Sequence, residues 1–100
     1  MSSRSIVVHP AVITESRAAV DWYRERSVST ARAFLVEIDR AISRIAERPQ
    51  IWPQYTHGTQ RYLLHRFPFF IVYRQTSVRI EVVAIAHAKR KPGYWKERLV

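Results

Sequence analysis

The apolar residues of this chain change their repeat at Gly58, and that change limits the fold more than any other feature. Before it, Ala31, Phe34, Leu35, Ile38, Ala41, Ile42, Ile45 and Ala46 recur every three or four residues. That is the period of a helix with one buried face. After it, Gln60–Arg66 alternates through Tyr62 and Leu64, Phe67–Arg74 is nearly all apolar, and Val78–His87 alternates again. Period two belongs to strands. In the last strand Ile80, Val82, Ala84 and Ala86 should share one face, with Val83 and Ile85 on the other.

The first half is helical by the same test. Ser5–His9 is a short β-branched run and reads as a strand. Pro10 suits a first helical turn, and Val12, Ala19 and Tyr23, with Ala18 and Trp22 beside them, carry a helix from Ala11 to about Arg26. Ser27-Val28-Ser29-Thr30 is a break rich in capping residues, and the second helix ends before Pro49. Pro49–Gly58 is a loop whose Ile51, Trp52 and Tyr55 lid the core. The expected order is β-α-α-β-β-β. It makes an α+β fold with a helical hairpin packed on one face of a small, mostly antiparallel sheet. Residues 1–100 read as a single domain, with no repeat and no linker.

Charge narrows the partners. Seventeen Lys and Arg face eight Asp and Glu, a net charge of +9. Residues 1–50 hold eight basic and six acidic residues, whereas residues 51–100 hold nine and two. Such asymmetry favours an anionic partner. The N-terminal apolar stretch is too short for a signal-peptide core. No run approaches the ~20 apolar residues of a membrane helix. There is no cysteine. The expectation is a cytoplasmic chain with no membrane partner, no metal and no cofactor. Two isolated glycines exclude a phosphate loop, the serines lack a nucleophile elbow, and the acids fall on the helices where ion pairs and solvent account for them.

Three groups of residues remain. Arg61, His65, Arg66 and Arg74 lie on or beside adjacent strands. Arg61 and His65 should line one surface, binding phosphate with His65 as a possible proton carrier, or else simply meeting solvent. His87 closes the last strand, either as a backbone hydrogen-bond partner or as a site residue. Lys89-Arg90-Lys91, a Pro-Gly turn, Tyr94-Trp95, Lys96 and Arg98 combine cations with flat rings, a pattern suited to docking an anionic partner, or else to a solvated tail whose Trp95 tucks back onto the sheet. Trp95 by itself suits core or hinge better than ligand contact.

Trp22-Tyr23, Phe34, Pro49 before Trp52-Pro53, Phe67–Arg74 and Ala84–Trp95 together resemble the RelE/ParE superfamily of type II toxin–antitoxin toxins over nearly the whole chain. The resemblance implies the same helical hairpin on a small sheet. It also implies a cognate antitoxin, expected to be acidic with a segment that folds on binding. RelE-like members cut mRNA in the ribosome, whereas ParE-like members poison DNA gyrase. Where RelE-like nucleases carry a catalytic arginine on the central strand, this chain has Phe70. Their second arginine aligns with Ala88 or, after a small shift, Arg90, and Tyr94 falls where their C-terminal tyrosine lies. These departures favour the ParE-like reading. If the chain were instead a ribonuclease, metal-independent, the catalytic candidates would be Arg61, His65, His87, Arg90 and Tyr94. For target binding the candidates are Arg61, Arg66, Arg74, Lys89, Arg90, Lys91, Tyr94 and Trp95. A non-toxic nucleic-acid-binding module is the third alternative.

Overall fold

The computed structural model describes residues 5–100; Met1–Arg4 of the N-terminal stretch lie outside it. The chain runs β1 (Ser5–Val8), α1 (Pro10–Arg24), α2 (Val28–Glu47), β2 (Gln60–Leu63), β3 (Phe69–Gln75) and β4 (Arg79–His87), the expected order. Short 3-10 turns occupy Pro49–Ile51, Thr56–Gly58 and Lys96–Leu99. The sheet order is β1-β4-β3-β2, with β1 parallel to β4 and the other pairs antiparallel.

Both helices begin on caps written in the sequence. His9 Nδ1 accepts the Ala11 N–H at 3.1 Å just ahead of Pro10. Ser27 Oγ accepts the Thr30 N–H at 3.2 Å. The expected break therefore shifts toward the N-terminus: Glu25, Arg26 and Ser27 connect the helices, and Val28, Ser29 and Thr30 already form the first turn of α2. A cap of this kind stabilises by about 1 kcal/mol.

The helices cover one face of the sheet. Phe34 is fully buried there, its ring centroid 5.1 to 5.3 Å from those of Tyr23, Phe67 and Phe69. The loop after α2 is fixed by one carbonyl. Pro49 C=O accepts from Tyr73 Oη at 2.6 Å and from Gln60 Nε2 at 2.8 Å. Gln60 Nε2 also reaches Trp52 C=O at 2.9 Å, and the Trp52 ring packs edge-on against Tyr62. Trp52 thus seals the helical side of the sheet. Tyr55 crosses to the opposite side and meets Phe70 and Trp95.

That opposite face is also covered, which the periodicity did not indicate. Phe70, Val72, Val83, Ala84 and Ala86 pack there under Trp95, which is completely buried. Gly93 makes the turn that brings Trp95 in. Its φ of +85° lies in the left-handed region, and a Cβ would stand 2.9 Å from His57 Nε2.

The expected faces of β4 are corrected by a β-bulge. Val72 pairs with Ala84 but Tyr73 pairs with Val82, so Val83 is an extra residue with no opposite number. The alternation resets across it. Ile80, Val82 and Ile85 meet the helices, whereas Val83, Ala84 and Ala86 face the C-terminal segment.

No helix among the described residues is long and apolar enough to cross a membrane.

Candidate functional site

β1 stops at Val8, level with Val82. Beyond that point the outer edge of β4 has no strand beside it among the described residues, and its backbone groups need other partners. Two side chains supply them. Glu15 Oε1, from α1, accepts the Ile85 N–H at 2.9 Å. Arg98 Nη1, from the C-terminal segment, donates to Val83 C=O at 2.9 Å. The two side chains are themselves paired, Arg98 Nη2 to Glu15 Oε2 at 3.0 Å, each about one-fifth exposed or less. An ion pair thus brackets the open edge in place of a strand.

Tyr94 completes the bracket. Its hydroxyl donates to Glu15 Oε2 at 2.7 Å. The Arg90 guanidinium lies 3.9 Å above its ring and that of Arg98 lies 5.3 Å away. Burial first, and then the hydrogen bond to the Glu15 carboxylate, push the Tyr94 phenol far above its ordinary range.

Past the bracket the edge borders a groove of about 440 Å³ between α1 and the ends of β3 and β4. Its lining runs from Ala18, Trp22 and Tyr23 on the helix to Pro68, Phe69, Ile85 and His87 on the sheet, with Arg90 and Tyr94 at the rim. Trp22 is half exposed and the Arg26 guanidinium stacks 3.6 Å over its ring. The His87 ring stands edge-on to Phe69 with centroids 5.0 Å apart, and its Nδ1 accepts the Lys89 N–H at 3.1 Å. His87 thus holds backbone, as one sequence reading expected, and it lines the groove. Lys89 and Lys91, on either side of Arg90 in sequence, are exposed and do not line the groove.

The other expected site residues lie elsewhere. Arg61 and His65 do not share a surface. Arg61 stacks over Tyr55 at 4.4 Å and Phe70 at 5.2 Å, on the face covered by the C-terminal segment. β2 ends at Leu63, so the alternation that would join the two stops short. His65 and Arg66 fall in the turn after it, beside α2, where both backbone N–H groups donate to the Glu37 carboxylate. Arg74 is paired with Glu81 at 2.7 Å across β3 and β4. Trp95 is core, so it offers no contact surface in this fold. The groove therefore gathers His87, Arg90 and Tyr94, with Lys89 and Lys91 beside Arg90 in sequence, and leaves Arg61, His65, Arg66 and Arg74 out.

Glu15 escaped sequence reasoning, although one signal was present. It sits three residues after Val12 and four before Ala19, inside the apolar stripe of α1. An acid in such a stripe needs a buried partner. Among the described residues no three His, Asp or Glu side chains gather to hold a metal ion.

Comparison with known proteins gives one family and one fold. The family model described as the ParE toxin of the type II toxin–antitoxin system parDE matches residues 6–92. No curated protein matches the chain in sequence. Nine solved chains match it in structure. One belongs to the chromosomal ParDE toxin–antitoxin system of P. aeruginosa. It is 16% identical, with a TM-score of 0.63 over 85% of this chain and 96% of that one, a likeness of fold.

Proposed function

The chain belongs to the ParE toxin family of type II toxin–antitoxin systems, and from there we propose that it inhibits DNA gyrase by docking rather than by catalysis. The state of Tyr94 carries this reading. A nuclease that drives the RNA 2′-hydroxyl onto its neighbouring phosphate needs a group that takes a proton near neutral pH. The Tyr94 phenol is no such group, and its hydroxyl is already committed to the Glu15 carboxylate. Phe70, where a RelE-like nuclease carries an arginine, is buried beneath Tyr55 and Trp95. What the groove rim offers instead is a cationic and aromatic display: Arg90 on Tyr94, and His87, with Lys89 and Lys91 exposed in the adjoining segment. This display is the docking surface, and the chain works in the cytoplasm.

The cognate antitoxin neutralises it by occupying the same groove. The floor is aromatic and apolar, which suits anchor residues of a segment that folds on binding. Beyond Val82 the outer edge of β4 has no described strand beside it, and such an edge suits one short extended stretch of the segment. The net charge of +9 favours a segment that is acidic overall.

Expression of the chain alone, with supercoiling, gyrase-linked DNA breaks and mRNA integrity followed together, tests the reading. The expected result is arrested growth with accumulated DNA breaks and intact mRNA. Substitution of Arg90→Ala should relieve the arrest by weakening the docking face. Rapid mRNA cleavage that disappears in Arg90→Ala and Tyr94→Phe would overturn the proposal in favour of the ribonuclease.

A further inference from the structure

α2 carries a second cationic surface that the groove does not use. Arg32, Arg40 and Arg44 follow one another along an i, i+4 ladder that passes through Val36, and Arg66 joins them from the turn after β2. Together with His65 they border a depression of about 480 Å³. Among the described residues none of these four arginines is ion-paired, whereas Arg24, Arg26, Arg74, Arg79 and Arg98 all are. Glu37, the acid in the lining, is already engaged by the backbone N–H groups of His65 and Arg66. Arg44 is steadied by a hydrogen bond from Nη1 to Tyr62 Oη at 3.1 Å.

Unpaired guanidinium groups in a row favour an occupant with repeated oxyanions. From Arg32 to Arg44 the ladder spans about 18 Å at the helix rise of 1.5 Å per residue. That is the axial length of about five phosphates of one strand of duplex DNA. A folding peptide would need apolar pockets, and apart from the arginine stems this lining supplies only Ala33 and Val36. A single strand would need several exposed rings in sequence for its bases; here Tyr62 is buried as part of the core, which leaves the His65 imidazole as the exposed ring of the lining. We infer that the α2 arginine face binds the phosphate backbone of duplex DNA, without reading its sequence. The docking groove lies between α1 and the ends of β3 and β4, lined by a separate set of residues, so one molecule can engage both.

The free chain and a labelled mixed-sequence duplex, followed by fluorescence anisotropy over a salt series, test this directly. Arg40→Gln with Arg66→Gln should weaken binding at least tenfold at low salt. The slope of log affinity against log salt should flatten by about 2, one counterion-releasing contact for each arginine lost. Arg17→Gln with Arg24→Gln removes the same charge from α1 and should weaken binding by less than threefold. Equal losses in the two variants would mean bulk charge alone and would overturn the inference. So would a polyglutamate probe that binds as tightly as the duplex and depends on the same two arginines, since the surface would then serve an acidic protein. Because no gyrase is present, failure here leaves the gyrase reading standing, and failure of the gyrase assay leaves this one standing.

Discussion

At the scale of single residues, Glu15 does the most for the candidate site. Its carboxylate receives the Ile85 N–H, the Tyr94 hydroxyl and the Arg98 guanidinium. Replacing it with Ala strands all three donors, two of them charged or in backbone, and should cost about 3 kcal/mol in urea unfolding. Tyr94→Phe removes one donor and leaves the carboxylate two others, so about 1 to 2 kcal/mol is expected. If Glu15→Ala costs no more than Tyr94→Phe, the bracket is not held by the carboxylate. None of this was readable as a constellation, because Glu15 is 70 residues from Ile85 and 79 from Tyr94. The acid inside an apolar stripe was visible; its partners were not.

At the scale of elements, local signals carried most of the architecture. Proline and serine caps, the change of repeat at Gly58 and the apolar run before Arg74 place both helices and all four strands within a few residues. The failures have two physical sources. The first is the extra residue in β4. A bulge depends on how two strands meet, not on the residues of one, so Val83 looks like any other member of an alternating run. The second is the covering of both sheet faces. The aromatic content of Tyr94-Trp95 was plain, but only the turn at Gly93 aims Trp95 inward. Capping is the part most open to a quantitative check. Ser27→Ala removes the bond to the Thr30 N–H in a turn of only three residues between the helices. The expected loss is about 1 kcal/mol, read from the denaturation midpoint, with Ser27→Asp retaining most of the stability. A larger loss from Ser27→Asp than from Ser27→Ala would refute the capping assignment.

At the scale of the whole molecule, electrostatics sets the response to pH. Glu81 sits between Arg74 and Arg79, and their hydrogen bonds hold its carboxyl below the ordinary carboxylate range. A group lowered in the folded state stabilises above its unfolded value, and that stability disappears as pH falls through the folded value. Thermal melts should therefore show Glu81→Gln less stable than the parent at neutral pH. The gap should close as the solution is taken from about pH 5 to about pH 2, where both carboxyl states are protonated. A gap that stays constant across that window would assign the loss to packing instead. Against this background of excess cation, Glu81 is one of only two acids after residue 50, and it lies where it relieves repulsion between two arginines on neighbouring strands.

The Glu15–Arg98 bracket also has a consequence in time. It joins positions on either side of nearly the entire chain, so it closes a larger loop than the hairpins and helix caps do. Loop-closure entropy places such a contact late in folding. By the same reasoning it is among the first to open when the native state fluctuates, since it rests on a few polar bonds rather than on buried rings. The rim of the groove is then the most transient part of an otherwise two-sided core. A partner that settles there would slow amide exchange at Ile85 before it altered exchange anywhere in the Phe34 cluster.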